Sequence, residues 1–74
     1  MDLPEYAKKS KNLRKWLREQ RQEKGFTMRS LAAKLGVPHS YIGKIENGER
    51  RLDIPEYLRY CKVMDINPNE GLKK

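Results

Sequence analysis

One segment between residues 31 and 51 constrains the fold of this chain more than any other feature. It contains two short amphipathic stretches on either side of a glycine and reads LAAKLGVPHSYIGKIENGERR. We expect the first helix to end at Gly36, because glycine adopts the left-handed conformation that a tight turn requires. The second helix is expected to run from about His39 to Glu46, and Asn47-Gly48 stops it. Two short helices joined in this way leave the second one projecting from a compact body.

Helix-capping signals in the rest of the chain predict further helices. Asp2-Leu3-Pro4-Glu5 and Asp53-Ile54-Pro55-Glu56 each place an acceptor cap, a proline and a glutamate in the order that begins a helix. Asn67-Pro68-Asn69-Glu70 repeats this pattern and predicts a last short helix. Thr27 caps the first helix of the central pair, with Ser30 in the slot where Glu or Gln would complete a capping box. No segment shows the alternation of a strand, so the predicted fold class is all-α, a compact bundle of about five short helices with a central helix-turn-helix.

The apolar residues recur at spacings of three and four, as on the buried side of an amphipathic helix. In the first long helix, Ser10 either starts or interrupts the helix, and Gly25 ends it with a left-handed cap. The side chains predicted to form the core are Leu13, Trp16, Leu17, Leu31, Ala32, Leu35, Ile42, Ile45, Leu58, Cys61 and Met64.

A chain of 74 residues has room for one domain, over 1–74. Its expected parts are an N-terminal extension or short helix over 1–10, a core over 11–66 and a short C-terminal helix over 67–74. Cys61 is the only cysteine, so no disulfide forms within the chain, and one unpaired thiol suits a reducing compartment. No apolar run is long enough for a signal peptide or a transmembrane helix. These features predict a cytoplasmic protein.

The residue types exclude most catalytic and metal chemistry. One histidine and one cysteine, far apart in the sequence, cannot supply the ligand set of a metal ion. The chain has no Ser–His–Asp set, no phosphate-binding glycine loop and no paired carboxylates at usable spacing. We therefore expect no enzymatic activity, no metal and no cofactor.

The formal net charge of +7 is concentrated in the first half of the chain. Residues 1–37 carry ten Lys or Arg and four Asp or Glu, whereas residues 38–74 carry seven and six. This asymmetry predicts one electropositive face, which is typical of proteins that bind nucleic acids or anionic membranes. A membrane-binding helix needs a broad apolar face, but the stripe of Leu13, Trp16 and Leu17 is narrow and is needed to close the bundle. The charge therefore favours double-stranded DNA and no membrane, with a basic protein- or membrane-interaction module as the weaker alternative.

A projecting helix that begins with small polar side chains fits the major groove of DNA. Lys44 can donate to guanine O6 and N7, and His39 or Ser40 can bond to more than one base. The side chains predicted to contact bases are His39, Ser40, Tyr41 and Lys44, although Tyr41 is as well placed to cover the edge of the core. Phosphates bind to free backbone amides at helix starts and to flexible cations. The predicted phosphate contacts are Thr27, Met28, Arg29, Asn47, Arg50 and Arg51.

Residues from about Leu13 to Pro68 resemble the Xre/Cro family of helix-turn-helix regulators, the phage lambda repressor-like proteins. The resemblance rests on LREQRQEKGFTMRSLAAKLGVPHSYIGKIENGERRLD and on the later YLRYCKVMDINP. It implies a lambda repressor-like DNA-binding domain in a cytoplasmic transcription regulator, usually a dimer on a pseudo-palindromic operator. It also implies a buried or half-buried ion pair between Arg21 and Glu46.

Three residues depart from the pattern of that family. Met28 stands where many relatives carry glutamine, so a hydrogen bond from that side chain to a phosphate is lost. Gly43 replaces a side chain that often meets DNA, and Pro38 takes the place of the usual serine or threonine cap. These departures concern the specific DNA contacts and leave the predicted fold unchanged.

The predicted function is sequence-specific binding of double-stranded DNA by a transcription regulator, a small dimeric repressor or autoregulator. An antitoxin of a toxin–antitoxin pair and a controller protein of a restriction–modification system use the same domain, and a neighbouring gene would separate them. A protein partner such as a toxin or a polymerase is left open. Tyr57, Tyr60 and Leu72 form either a candidate homodimer surface or part of the local core.

Overall fold

The computed structural model describes the backbone of residues 4–74 and the side chains of residues 8–74. The described backbone forms five helices: α1 (Pro4–Glu23), α2 (Met28–Leu35), α3 (His39–Asn47), α4 (Ile54–Met64) and α5 (Pro68–Leu72). This arrangement confirms the predicted all-α bundle with a helix-turn-helix, α2 and α3, at its centre. The predicted cap at Asp2 lies outside the described residues.

The first helix continues through Ser10 without a break. The Ser10 hydroxyl accepts a hydrogen bond from the Arg14 guanidinium at 2.7 Å. The serine therefore binds a side chain one turn later in the same helix and does not cap a helix start. Gly25 follows the helix in the left-handed conformation, with φ of +78°, as predicted. The Phe26 amide then donates to the carbonyl of Arg21 at 2.9 Å, which closes the helix end.

The two helices of the central pair begin differently. At the start of α2, the Ser30 amide donates to the Thr27 hydroxyl at 3.0 Å, and the Thr27 amide donates to the Ser30 hydroxyl at 2.9 Å. Ser30 thus completes the capping box that usually takes a longer side chain. The start of α3 has no such device, because Pro38 provides no side-chain hydrogen bond. Gly36 and Gly48 end the two helices in the left-handed conformation.

The C-terminal helices are fixed by their caps and by one tyrosine. Asp53 and Glu56 form the predicted capping box at the start of α4, with the Glu56 amide 2.8 Å from the Asp53 carboxylate. Asn67 caps α5 through the Asn69 amide at 2.9 Å. The Tyr57 hydroxyl donates to the Pro68 carbonyl, which holds α5 against α4.

The core lies where α1, α2, α3 and α4 meet. The expected burial on α2 and α3 is confirmed, since Leu31, Ile42 and Ile45 are inaccessible to solvent. The complete set of buried apolar residues among the described side chains is Trp16, Leu17, Leu31, Ala32, Leu35, Ile42, Ile45, Tyr57, Tyr60, Cys61 and Met64.

The predicted burial of Leu58 is wrong, because this side chain is 50% exposed. Tyr57, Tyr60, Cys61 and Met64 occupy the buried side of α4, at spacings of three and four. Leu58 follows Tyr57 by one residue and therefore lies about 100° around the helix from it. The two tyrosines, which a hydropathy pattern underrates, set the orientation of α4.

Candidate nucleic-acid interface

The α3 helix buries one side and exposes the other. Ile42 and Ile45 fix it to the core, while the side chains of His39, Ser40 and Lys44 are exposed. Three of the four side chains predicted to contact bases therefore share an open surface. A helix that presents polar side chains in this way has the geometry needed to enter the major groove.

The start of α3 offers free backbone donors. The Tyr41 amide bonds to the carbonyl of Pro38 at 3.0 Å, but the amides of His39 and Ser40 have no acceptor among the described residues. Unpaired amides and the helix dipole together favour a negative group at this position. The missing hydroxyl cap at Pro38 thus leaves two donors available to a phosphate.

The start of α2 offers a second pair of donors. Its capping box satisfies the amides of Thr27 and Ser30, while those of Met28 and Arg29 have no acceptor in the described part of the chain. The Met28 sulfur lies 3.9 Å from where a Cβ on Gly43 would stand, so the first turn of α2 borders the middle of α3. The arrangement brings Met28 and Arg29 to the same surface as the predicted base contacts.

A buried ion pair fixes the other end of α3. The Arg21 guanidinium donates to both carboxylate oxygens of Glu46, with Nε–Oε2 at 2.7 Å and Nη2–Oε1 at 3.2 Å. Only 8% of the Arg21 side chain and 3% of the Glu46 side chain are exposed. Arg21 also donates to the carbonyl of Phe26 at 2.9 Å. The ion pair that the family resemblance implied is present and ties α3 to α1.

Arg14 forms a second link between α1 and the end of α3, which was not among the predicted contacts. A Cβ on Gly48 would stand 2.9 Å from the Arg14 Cζ, so the guanidinium lies directly against the glycine turn. Together with Ser10, Arg50 and Arg51, these residues line a cleft of about 350 Å³. The spacing of Ser10 and Arg14, four residues apart on one helix, indicates their mutual hydrogen bond but not the contact of Arg14 with Gly48.

Tyr41 and Arg50 lie together at the side of the helix pair, where both contact Glu56. The Tyr41 hydroxyl donates to the Glu56 carboxylate, and Arg50 Nη2 lies 3.0 Å from the same oxygen. The Arg50 guanidinium also stacks 4.8 Å from the centre of the Tyr41 ring. Tyr41 is half-buried and packs against the core, so its ring covers the core edge.

These contacts shift the pKa values of Glu56 and Tyr41 in opposite directions. The Tyr41 hydroxyl, the Asp53 amide and then Arg50 stabilise the charged carboxylate, and together they lower the pKa of Glu56 from 4.5 to about 2. Burial, followed by the bond to Glu56, raises the pKa of Tyr41. The cluster therefore keeps a charged carboxylate beside Arg50 under ordinary conditions.

The predicted phosphate contacts fall into two groups. Thr27, Met28 and Arg29 surround the start of α2, whereas Asn47 is the last residue of α3 and Arg50 and Arg51 follow that helix. Asn47 and Arg51 are exposed, and neither makes a side-chain hydrogen bond among the described residues. Arg50 differs because it is already bonded to Glu56.

The candidate dimer residues do not share one surface. Tyr57 is 6% exposed and Tyr60 is 1% exposed, so both belong to the core of the single chain, while Leu72 is 65% exposed. The aromatic rings fill the space between α4 and the rest of the bundle, which corrects the alternative that placed them at an interface. Ile54 at 74% and Leu58 at 50% are also exposed, one turn apart on α4.

Cys61 is an unpaired cysteine that lies in the core. Burial raises the pKa of the Cys61 thiol, which keeps it protonated and unreactive. Within the described residues, no three His, Cys, Asp or Glu side chains are close enough to hold a metal ion. None of the described helices is both long enough and apolar enough to cross a bilayer.

The helix-turn-helix family model HTH_3 matches residues 17–70, which is most of the chain and includes both helices of the central pair. The chain belongs to this family. Among solved structures, an Xre-family-like protein from Pseudomonas syringae pv. tomato str. DC3000 is 37% identical, with a TM-score of 0.86 over 92% of this chain and 83% of that one. The members of this Xre-type helix-turn-helix family are DNA-binding transcription regulators.

The chain is also similar to a controller protein and to a transcription regulator. The restriction–modification controller protein C.AhdI from Aeromonas hydrophila is 35% identical, with a TM-score of 0.77 over 89% of this chain and 98% of that one. An uncharacterized HTH-type transcriptional regulator of Bacillus subtilis (strain 168), YqaF, is 44% identical over 39 residues, or 53% of this chain. This helix-turn-helix chain matches about half (51%) of the length of that curated relative.

Proposed function

We propose that this helix-turn-helix protein is a cytoplasmic regulator that binds one double-stranded DNA sequence and represses transcription from it, including that of its own gene. The observation that supports this function best is the exposed polar side of α3, whose apolar side is fixed in the core. Free amides begin both α2 and α3 next to that surface. Bases and phosphates would thus meet different groups of one rigid surface.

The proposed base contacts are His39, Ser40 and Lys44, all exposed on α3. Lys44 fits the O6 and N7 atoms of guanine, and the other two side chains fit more than one base. Tyr41 is better suited to support α3 from the side, since its hydroxyl is bonded to Glu56.

The proposed phosphate contacts are the backbone amides of Met28 and Arg29, the amide side chain of Asn47 at the end of α3, and the two arginines that follow. Thr27 acts by shaping the start of α2. Arg50 would have to share its guanidinium between Glu56 and a phosphate. The full set is Thr27, Met28, Arg29, Asn47, Arg50 and Arg51.

We further propose a homodimer on a pseudo-palindromic operator, because two copies of a small domain double the number of base pairs contacted. The exposed apolar side chains of Ile54, Leu58 and Leu72 are available for contact with a second copy. A sedimentation velocity measurement on the protein and on Leu58→Gln would test this contact. A wild-type monomer in the presence of operator DNA would contradict the dimer.

A controller of a restriction–modification system is the second candidate function. The similarity to C.AhdI favours it, because the correspondence covers 89% of this chain and 98% of that one. Both candidates require the same DNA-binding surface. They differ in the genes regulated, so a binding site upstream of a methyltransferase or nuclease gene would favour the controller.

Selection of bound sequences from a pool of random duplexes is the experiment that tests the proposed function. We expect one enriched sequence with two-fold symmetry, and binding to it that weakens as salt is raised. The wild-type protein should bind the enriched duplex at least 1,000-fold (on the order of the usual specificity ratio) more tightly than a scrambled one. Recovery of unrelated sequences, or no recovery above a blank, would contradict sequence-specific binding.

A further inference from the structure

The first helix carries a block of cations with no acid among them. Residues 8–18 include six Lys or Arg and no Asp or Glu. Lys11, Lys15 and Arg18 recur at spacings of four and three, so they lie on one side of α1, and all three are exposed. Like charges at these spacings destabilise a helix. We call these three residues, with Arg14 beside them, the basic ridge.

The basic ridge has no carboxylate partner among the described side chains. The two ion pairs of the described chain use other cations, Arg21 with Glu46 and Arg50 with Glu56. Arg14 is held in place by a neutral group, the hydroxyl of Ser10. The ridge is therefore a positively charged surface that the side chains of residues 8–74 do not neutralise.

The basic ridge is continuous with the end of α3. It lines one groove together with Glu46 and Asn47, the last residues of that helix. Arg14 also lines the neighbouring cleft with Arg50 and Arg51. A cationic surface thus extends from the loop after α3 along the outer side of α1. The segment from residue 8 to residue 18 is about 15 Å long at 1.5 Å per residue.

The geometry points to a sequence-independent role in DNA binding. We propose that the basic ridge binds backbone phosphates of duplex DNA beside the base pairs that α3 contacts. The inference rests on the proposed function, since α3 must first place the duplex next to Asn47. A duplex carries one negative charge per about 1.7 Å of its axis, which supplies several phosphates over the length of the ridge.

A membrane surface fits the ridge less well than DNA. Helices that bind a bilayer insert an apolar side between the lipids. In the described part of α1, Trp16 and Leu17 are buried in the core at 8% and 0% exposure, and the partly buried Leu13 packs against the same core. The ridge therefore offers charge without an apolar side to insert, which suits a polyanion such as the DNA backbone.

The test uses the sequence recovered by selection in two duplexes, one that ends at the edge of the site and one extended by ten base pairs on each side. Binding is measured by fluorescence anisotropy between 50 and 200 mM salt. The variants are Lys15→Gln and the triple variant Lys11→Gln/Lys15→Gln/Arg18→Gln. Lys62→Gln, on the exposed side of α4, removes the same charge outside the ridge and is the control.

We expect the wild-type protein to bind the extended duplex more tightly and the triple variant to lose that advantage. On the extended duplex, the slope of log affinity against log salt should become shallower by roughly 0.9 for Lys15→Gln and 2.7 for the triple variant. Lys62→Gln should keep the wild-type slope. The preference for the selected sequence over a scrambled one should survive in every variant, because α3 is untouched.

Three results would overturn the inference. A triple variant with wild-type affinity and slope on both duplexes would show that the ridge does not bind DNA, while the proposed function stands. Equal losses on the short and extended duplexes would place the ridge inside the site. If the wild-type protein bound vesicles that contain phosphatidylserine and the triple variant did not, while both bound DNA equally, the ridge would be assigned to a membrane. A wild-type protein that binds no duplex would instead refute the proposed function itself.

Discussion

The two ends of α3 are built in opposite ways. At its C-terminal end, Glu46 is bonded to Arg21 in the interior, and Arg14 packs against the Gly48 turn. At its N-terminal end, Pro38 supplies no cap, and His39 and Ser40 are exposed with free amides. One end is held by two links to α1, whereas the other ends in groups available to bind.

This difference separates the task of holding the helix from the task of recognition. The exposed side chains of His39, Ser40 and Lys44 make no hydrogen bond to another described side chain, so they do not hold the helix in place. The ion pair at Glu46 and the glycine turn perform that task instead. Substitutions at the C-terminal end should therefore cost stability, and substitutions on the open side should cost DNA recognition.

Glu46→Ala should produce the largest loss of stability. It leaves the Arg21 guanidinium buried without its carboxylate, which should lower the free energy of unfolding by about 3–5 kcal/mol. Urea denaturation followed by circular dichroism measures this loss. Glu49→Ala, at an exposed acid in the following turn, is the control and should change stability by less than about 0.5 kcal/mol. Similar losses in both variants would show that the pair does not anchor the helix.

Lys44→Ala should change recognition and leave folding intact. The loss of one base contact should reduce discrimination between the selected site and its single-base variants by about 1–3 kcal/mol at one position. Arg51→Ala is the matched control, since a lost phosphate contact weakens binding to all sequences alike. Competition with duplexes that each carry one changed base pair measures the specificity and the affinity of both protein variants. If Arg51→Ala relaxed specificity and Lys44→Ala did not, the two roles would be reversed.

Gly48→Ala tests whether Arg14 adds to the fixed end. Its left-handed φ of +80° costs an alanine about 1–2 kcal/mol, and the new Cβ would also meet the Arg14 guanidinium. Gly25→Ala has a similar φ of +78° with nothing within 4 Å, so it carries the conformational cost alone. Thermal unfolding should show the greater loss for Gly48→Ala. Equal losses, or no relief on adding Arg14→Ala, would remove Arg14 from this end of the helix.

Gly43→Ala should increase stability. Gly43 lies in the middle of α3, away from both the left-handed turn at Gly48 and the free amides at the start of the helix. Alanine inside a helix is more favourable than glycine by about 0.5–1 kcal/mol. The nearest atom to the new Cβ would be the Met28 sulfur at 3.9 Å, an ordinary contact distance. The melting temperature measures the gain. If Gly43→Ala instead lowered the melting temperature and Met28→Ala restored it, α2 and α3 would approach more closely than the 3.9 Å contact indicates.

Acid should weaken the lateral support that Tyr41 gives to α3. The pKa of Glu56 is lowered from 4.5 to about 2, so the unfolded chain binds more protons than the folded one between these values. Its stabilising contribution is complete above about pH 4.5 and is lost as the pH falls towards 2. Denaturation at a series of pH values should show a steeper decline for the wild type than for Glu56→Gln. Parallel pH profiles would contradict this role for Glu56.

Much of the fold was predictable from local signals in the chain. The caps at Thr27 and Asp53 and the glycine at position 36 place the boundaries of α2 and α4 where the structure has them. These signals work because capping involves residues only two or three positions apart. Leu58 was assigned to the wrong side of α4, since its neighbours Tyr57 and Tyr60 fill the core more completely.

The candidate site was only partly predictable. The exposed side of α3 follows from its own periodicity, which is why His39 and Lys44 lie where expected. The bond between Tyr41 and Glu56 joins residues from two helices, and no local pattern indicates it. The position of Arg14 against Gly48 likewise depends on how α1 crosses the end of α3.

The sequence alone determined that the chain is helical, where most helices end and which side of α3 is polar. Those properties depend on hydrogen bonds and side-chain spacing within a few residues. Only the tertiary structure decided which cations remain unpaired and which are bonded to Glu46 and Glu56. Charges attract through space across distant segments of the chain, so their pairing depends on how the helices pack.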